Sequence, residues 1–176
     1  MIDQQTGEIA SLVNTLTRSG QAPDSEALAK VGKTLAKLFG VDPDEVAILK
    51  IVRKFNLSFV IPEKLSIVGT IPLSSTTALA ARTARDCRPE LVNNFSTTKH
   101  ASVFEGVSLG RDTSQVIHKI MSAPIMDGTR LRGVVQISRK AKSVAAAGPD
   151  FTQKDLGTLV SLSPILDLFL KLFQTD

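Results

Sequence analysis

The stretch Gln115-Val-Ile-His-Lys-Ile-Met-Ser-Ala-Pro-Ile-Met-Asp-Gly-Thr-Arg-Leu-Arg-Gly-Val-Val-Gln-Ile-Ser-Arg-Lys140 decides the fold. Two β-rich runs flank Asp127-Gly128, and Asp-Gly between such runs is a strong hairpin signal, because Gly accepts positive φ without steric cost. Val116, Ile117, Ile120 and Ile125 supply the first arm, and Val134, Val135 and Ile137 the second. Apolar residues fall on both parities of each arm, which predicts central strands covered on two faces. Pro124 cannot donate to a ladder, so the end of the first arm is expected at an edge or a bend.

Upstream, Ile9, Leu12, Val13 and Leu16 recur at helical spacing, and Ser19 to Pro23 breaks that helix. A second helix follows, capped by Asp24 or Ser25, striped by Leu28, Val31, Leu35 and Leu38, and stopped by Gly40. Val46–Val52 and Leu57–Ile61 read as neighbouring buried strands, and Ile67–Leu73 as a third, interrupted by Gly69. Ser74 to Thr77 offer caps for a helix to about Asp86, ended by Pro89, and Leu91–Phe95 reads as a short strand. Residues 96–114 are irregular, with a short helix expected over Lys99–Glu105. Downstream of the hairpin, Ala141–Pro149 is a small-residue loop, and Thr152 with Asp155 forms a capping pair for a long last helix to about Phe173. Pro164 predicts a kink there. That helix is apolar on two sides, so it needs two covers: the sheet, and either the first helix or a second subunit.

This succession is an α+β order. Its downstream half resembles the GAF domain, a small-molecule sensory module: Ser122-x-Pro124-Ile125, the Asp127-Gly128 turn, Gly133-Val134 and Ile137 in a strand, then Asp150-Phe151-Thr152 and Asp155-Leu156 opening a helix. The resemblance covers roughly Ser25 to Phe173. It implies a GAF/PAS-like central antiparallel sheet of about five to six strands. The N- and C-terminal helices would pack on one face, with the irregular segment over the other. The domain would span 23–176, preceded by an N-terminal helix at 1–22 available for dimerisation.

The composition sets limits on function. The net charge of +4 comes from 21 scattered basic residues, and Trp and Tyr are absent, so neither a nucleic-acid interface nor base stacking is expected. No apolar run approaches the ~20 residues that span a bilayer, and residues 1–8 lack a signal-peptide pattern. A cytoplasmic bacterial protein is the expectation. Cys87 is the single cysteine. It reads as a half-buried structural residue, which argues against the multi-cysteine methionine sulfoxide reductases that the resemblance includes. Because Arg88 rather than His follows it, a covalently bound bilin is not expected either. His100 and His118 form no metal-ligand spacing. Gly106-Val-Ser-Leu-Gly110-Arg111 lacks the Lys-Ser/Thr of a phosphate-binding loop. Ser138-Arg139-Lys140 stands where cyclic-nucleotide GAF domains carry Asn-Lys, so that cofactor is unsupported, and Arg139 or Lys140 is expected to pair with Asp155 instead.

The resemblance places a ligand pocket under the irregular segment. Carried onto this chain, its wall is Phe95, His100, Val103 and Phe104 over alternate residues of the central strand, either Ile117, Lys119 and Met121 or the opposite parity. The expected function is non-enzymatic sensing of a small molecule, with the signal leaving through the terminal helices of a homodimer. Since no output domain follows Asp176, a separate signalling partner is expected to read it. The alternatives are an interaction or dimerisation module whose pocket is closed, and a divergent reductase using Cys87.

Overall fold

A computed structural model describes residues 2–97 and 115–173. Its elements are α1 (Ile2–Ser19), α2 (Ser25–Phe39), β1 (Val46–Val52), β2 (Asn56–Ile61), β3 (Thr70–Pro72), α3 (Leu79–Asp86), β4 (Glu90–Val92), β5 (Val116–Asp127), β6 (Arg130–Ala141), α4 (Gln153–Ser161) and α5 (Ser163–Leu170). The strands form one six-stranded sheet in the order β3-β2-β1-β6-β5-β4, and every neighbouring pair is antiparallel. The α+β expectation and its sheet are therefore met.

The central hairpin forms as its sequence predicts, with one adjustment. Asp127 is the last residue of β5 and pairs with Arg130, so the two turn residues are Gly128 and Thr129, Gly128 at φ 59°. Pro124 sits where the ladder allows it: β4 pairs only with Ile120–Ser122, leaving β5 one neighbour beyond that point. At the centre of the sheet β6 and β1 approach closely. A Cβ on Gly133 would stand 2.1 Å from the Leu49 carbonyl oxygen, so only glycine fits there.

Helix α2 shows why its ends are legible. The Asp24 carboxylate accepts the Ala27 N–H at 2.8 Å, and Gly40 closes the helix at φ 66°. Helix α4 opens with the reciprocal pair of Thr152 and Asp155, each side chain accepting the other's backbone N–H. Asp155 is thus committed to its own helix. The expected link from the strand end goes elsewhere: Arg139 donates to the carbonyls of Gly40 and Phe39 and lies over the Phe151 ring at 4.6 Å.

Other expectations need correction. The last helix does not kink and continue; it stops, and α5 starts anew. Pro164 supplies no N–H for a continuous ladder, Leu162 closes a tight turn onto Leu159, and the Ser163 hydroxyl accepts the Met126 N–H at 2.9 Å, pinning the break to β5. The strand expected over 67–73 shrinks to β3, because Glu63–Ile67 winds into a 3-10 turn. Helix α3 starts only at Leu79. The short strand after it is Glu90–Val92, and Phe95–Thr97 is a 3-10 turn. The expected helix at 99–105 lies outside the described residues.

Two cores flank the sheet. On one face α1, α2, α4 and α5 bury Ile9, Leu35, Met121, Ile125, Phe151, Leu166 and Phe169. On the other, α3 and the turn at Phe95 bury Leu57, Phe59, Ile117, Ile120 and Val134. The second apolar side of the split C-terminal helix is met by α1 of the same chain, whose Ile9 and Val13 are fully buried in that cluster. Burying an Ile side chain contributes about 1.5–3 kcal/mol, so α1 belongs to the core.

Candidate functional site

The candidate site is the sheet face opposite the terminal helices. Residues 98–114 leave from the turn at Phe95–Thr97 and return at Gln115, and both flanks of that segment reach this face: Phe95 and Ile117 lie in the same buried cluster. Next to them, His118 is almost fully buried between two partners. Its Nε2 donates to the Ala141 carbonyl at 3.1 Å, since a carbonyl can only accept, and its Nδ1 meets the Ser96 hydroxyl at 2.9 Å. His118 therefore ties the turn at Phe95–Thr97 to the β5–β6 ladder.

A row of buried polar side chains crosses the same face. Gln136 on β6 donates to Ser122 Oγ on β5 at 3.1 Å, and Ser122 Oγ meets Thr83 Oγ1 on α3 at 2.7 Å. All three are buried. Helix α3 comes close enough for this because its inner face is small: Ala80, Ala81 and Ala84. Satisfied polar groups inside an apolar layer fix register more than they add stability. They are also the donors and acceptors that a small molecule entering such a layer would meet.

The structure brings together part of the expected wall and separates the rest. A bulge between Ile117 and Lys119 inserts one residue into β5. Neither parity of the strand then applies along its length. Ile117 and Ile120 share the face of Phe95, whereas Met121 lies in the cluster under the terminal helices. Lys119 is buried and committed to the loop before α4: its Nζ donates to the Gly148 carbonyl at 2.6 Å and pairs with Asp150 at 2.8 Å. His100, Val103 and Phe104 lie outside the described residues, as does the Gly-spaced run 106–111. The residues that sequence reasoning missed are Thr83, Ser96, Ser122 and Gln136. Ser122 and Gln136 were detectable as polar residues inside otherwise apolar strands; Thr83 and Ser96 carried no signal.

Two other chemistry-bearing features are structural in form. Cys87, expected half-buried, is exposed at the C-terminal end of α3, in a left-handed conformation at φ 49°, with Sγ donating to the Ala84 carbonyl at 3.4 Å. Asp42, Asp44 and Glu45 bring carboxylate oxygens within 4.8 Å of one another. The Glu45 carboxylate is already spent on backbone, accepting the N–H groups of Asp42 and Lys140. Burial pushes the Glu45 carboxyl up despite those two bonds, with the charges of Asp42 and Asp44 adding to the rise. The arrangement clamps the start of β1 to the end of β6.

No protein-family model and no curated protein matches the sequence. Solved structures do match the fold. The GAF domain of an Acinetobacter phosphoenolpyruvate-protein phosphotransferase superposes with a TM-score of 0.66 at 14% identity, over 97% of this chain and 94% of that one. The A. aeolicus nlh2 GAF domain in an inactive state gives 0.62 at 15% identity, over 98% and 99%. A free methionine-R-sulfoxide reductase from Neisseria meningitidis, in complex with its substrate, gives 0.65 at 16% identity, over 98% and 89%. The chain has a GAF-domain fold over nearly its whole length, and that fold is shared by domains named as sensors and by reductases. No helix among the described residues is long and apolar enough to cross a membrane.

Proposed function

We propose that the chain is a non-enzymatic sensory domain that binds a small molecule on the sheet face opposite the terminal helices. One observation carries the reading: Phe95, Ile117 and the His118–Ser96 pair converge where residues 98–114 leave and rejoin the sheet, beside the buried row Thr83–Ser122–Gln136. An apolar wall with a few oriented polar groups is the chemistry that holds a small ligand. His100, Val103 and Phe104 complete the wall in this reading, and Ile120 takes the place of Lys119 and Met121. Ligand binding would shift β5, and β5 carries the signal onward, because Met126 N–H is bonded to Ser163 at the break between α4 and α5. The ligand does this only if it favours one arrangement of that joint over another. A homodimer through the terminal helices, and a partner protein that reads it, belong to the same proposal.

Reduction of methionine sulfoxide is the weaker reading. Cys87 is the single cysteine, is exposed, and has no second thiol in the sequence to form the disulfide of a turnover. The test is native mass spectrometry of protein purified without added ligand, followed by a thermal-shift screen of nucleotides, 2-oxo acids and haem. A bound mass, or a melting shift of several degrees lost in His100→Ala and Phe104→Ala, supports the site. No adduct and no shift would overturn it and leave an interaction module with a closed face.

A further inference from the structure

Far from this face, the end of the sheet carries a second feature. The β1–β2 turn and the β5–β6 turn lie side by side, since β1 and β6 are neighbours with Lys50 opposite Gly133. Between them is a cleft of about 330 Å³ lined by Lys50, Arg53, Lys54, Arg130 and Arg132, with the half-buried Ile51 and Leu131 as its apolar floor and the buried Leu170 at its margin.

The charges at this end do not cancel. Counting Lys171 with the five lining cations, six basic side chains meet two carboxylates, Asp127 and Asp167. The excess of four equals the net charge of the whole chain, so the remaining sequence is neutral on balance. The two carboxylates are already engaged: Asp167 is buried against Arg132 at 3.2 Å and Lys171 at 2.9 Å, and Asp127 meets Lys171 at 3.3 Å. Arg53, Lys54 and Arg130 are exposed and have no carboxylate paired with them among the described residues. Like charges gathered without counter-charges repel one another, and an anionic occupant relieves that repulsion. Arg53 and Lys54 are also held at φ 50° and 67°, a conformation that glycine or asparagine adopts at lower cost. Phe55, the next residue of the same turn, is 71% exposed.

We infer that this cleft is a docking surface for an acidic segment of a partner protein, one in which carboxylates alternate with apolar side chains. The floor decides against a compact inorganic anion, which could neutralise the arginines but would leave the half-buried Ile51 and Leu131 uncovered. An extended acidic peptide satisfies both, its carboxylates on Arg53, Lys54 and Arg130 and an apolar side chain against the floor or Phe55. The surface is separate from the proposed ligand face, so the inference stands or falls independently of that reading.

The experiment is fluorescence anisotropy with a labelled ten-residue peptide of glutamates interspersed with leucines. The comparisons are its glutamine counterpart, inorganic phosphate, a single-stranded oligonucleotide and vesicles containing phosphatidylserine. The expected result is binding of the glutamate peptide that weakens as salt rises and falls at least tenfold in Arg53→Glu/Arg130→Glu. Lys154→Glu, a single reversal on the exposed side of α4, should change it less than twofold and less than Arg53→Glu alone does. All three substituted residues are exposed, so the folded state is retained and is checked by circular dichroism. Phe55→Ala should weaken the peptide without altering the salt slope. Equal binding of the glutamine peptide, tighter binding of oligonucleotide, phosphate or vesicles, or no binding of the glutamate peptide would overturn the inference.

Discussion

Thr83 on α3 and Ser122 on β5 share a buried hydrogen bond of 2.7 Å across 39 residues of sequence. It is a buried link between the helix and the sheet on the candidate ligand face, beside the exposed pair of Arg82 with Glu90 of β4. Thr83→Val keeps the shape and removes the hydroxyl, leaving Ser122 with Gln136 alone. The expected loss is about 1–3 kcal/mol in urea denaturation. A double-mutant cycle with Ser122→Ala should return a coupling near 1 kcal/mol.

Gly133 and Gly157 make a matched pair of opposite sign. Gly133→Ala places a methyl group 2.1 Å from the Leu49 carbonyl oxygen and 2.8 Å from Leu170. Backbone must move, and the expected destabilisation is about 3 kcal/mol or more. Gly157 lies in α4 with nothing within 4 Å of an added Cβ. Gly157→Ala is expected to stabilise by about 0.5–1 kcal/mol, read as a higher midpoint in the same titration.

Ile9 tests whether α1 is part of the folding unit. Fully buried against α2 and α5, it should cost about 2–5 kcal/mol on truncation to alanine. A loss under 0.5 kcal/mol would mean that α1 docks and undocks without affecting the rest.

Glu45 gives the fold a pH dependence of known sign. Burial raises its carboxyl in the folded state, so the folded chain holds that proton when the unfolded chain has released it. Its contribution to stability is fully present below the unfolded value and is lost as pH rises through the folded one. Glu45→Gln removes this dependence. The stability difference between wild type and variant should therefore shrink from about pH 4.5 upward and then flatten. A difference that grows over that window would contradict the assignment.

Local signals are legible in this sequence, and partner-dependent ones are not. Asp24, Gly40, Thr152, Asp155 and Asp127-Gly128 act within a few residues of themselves, so the ends of α2, the start of α4 and the central hairpin follow from the chain alone. The bulge at His118 does not, because alternation of side chains carries no mark of an inserted residue; only pairing with β6 reveals it. Pro164 announced a fault in the last helix, but its form depended on Ser163 capturing the Met126 N–H from 37 residues away. The same limit applies to the site. Phe95 and Ile117 were foreseeable as apolar wall, while Met121 and Lys119 were assigned by a parity that the bulge interrupts.

The two edges of the sheet have a consequence for how copies of this molecule meet. β3 offers three residues, one of them Pro72, and β4 offers three that follow directly on Pro89. Among the described residues, β3 and β4 present only short edges, and where β5 runs on past β4, Pro124 has no N–H to offer and the Met126 N–H is bonded to Ser163. Growth by adding strand to strand, the usual route from a β-rich protein to fibrils, finds little purchase at these ends. Concentrated solutions of this protein should stay clear where a long-edged sheet would gel, and its encounters are left to side chains.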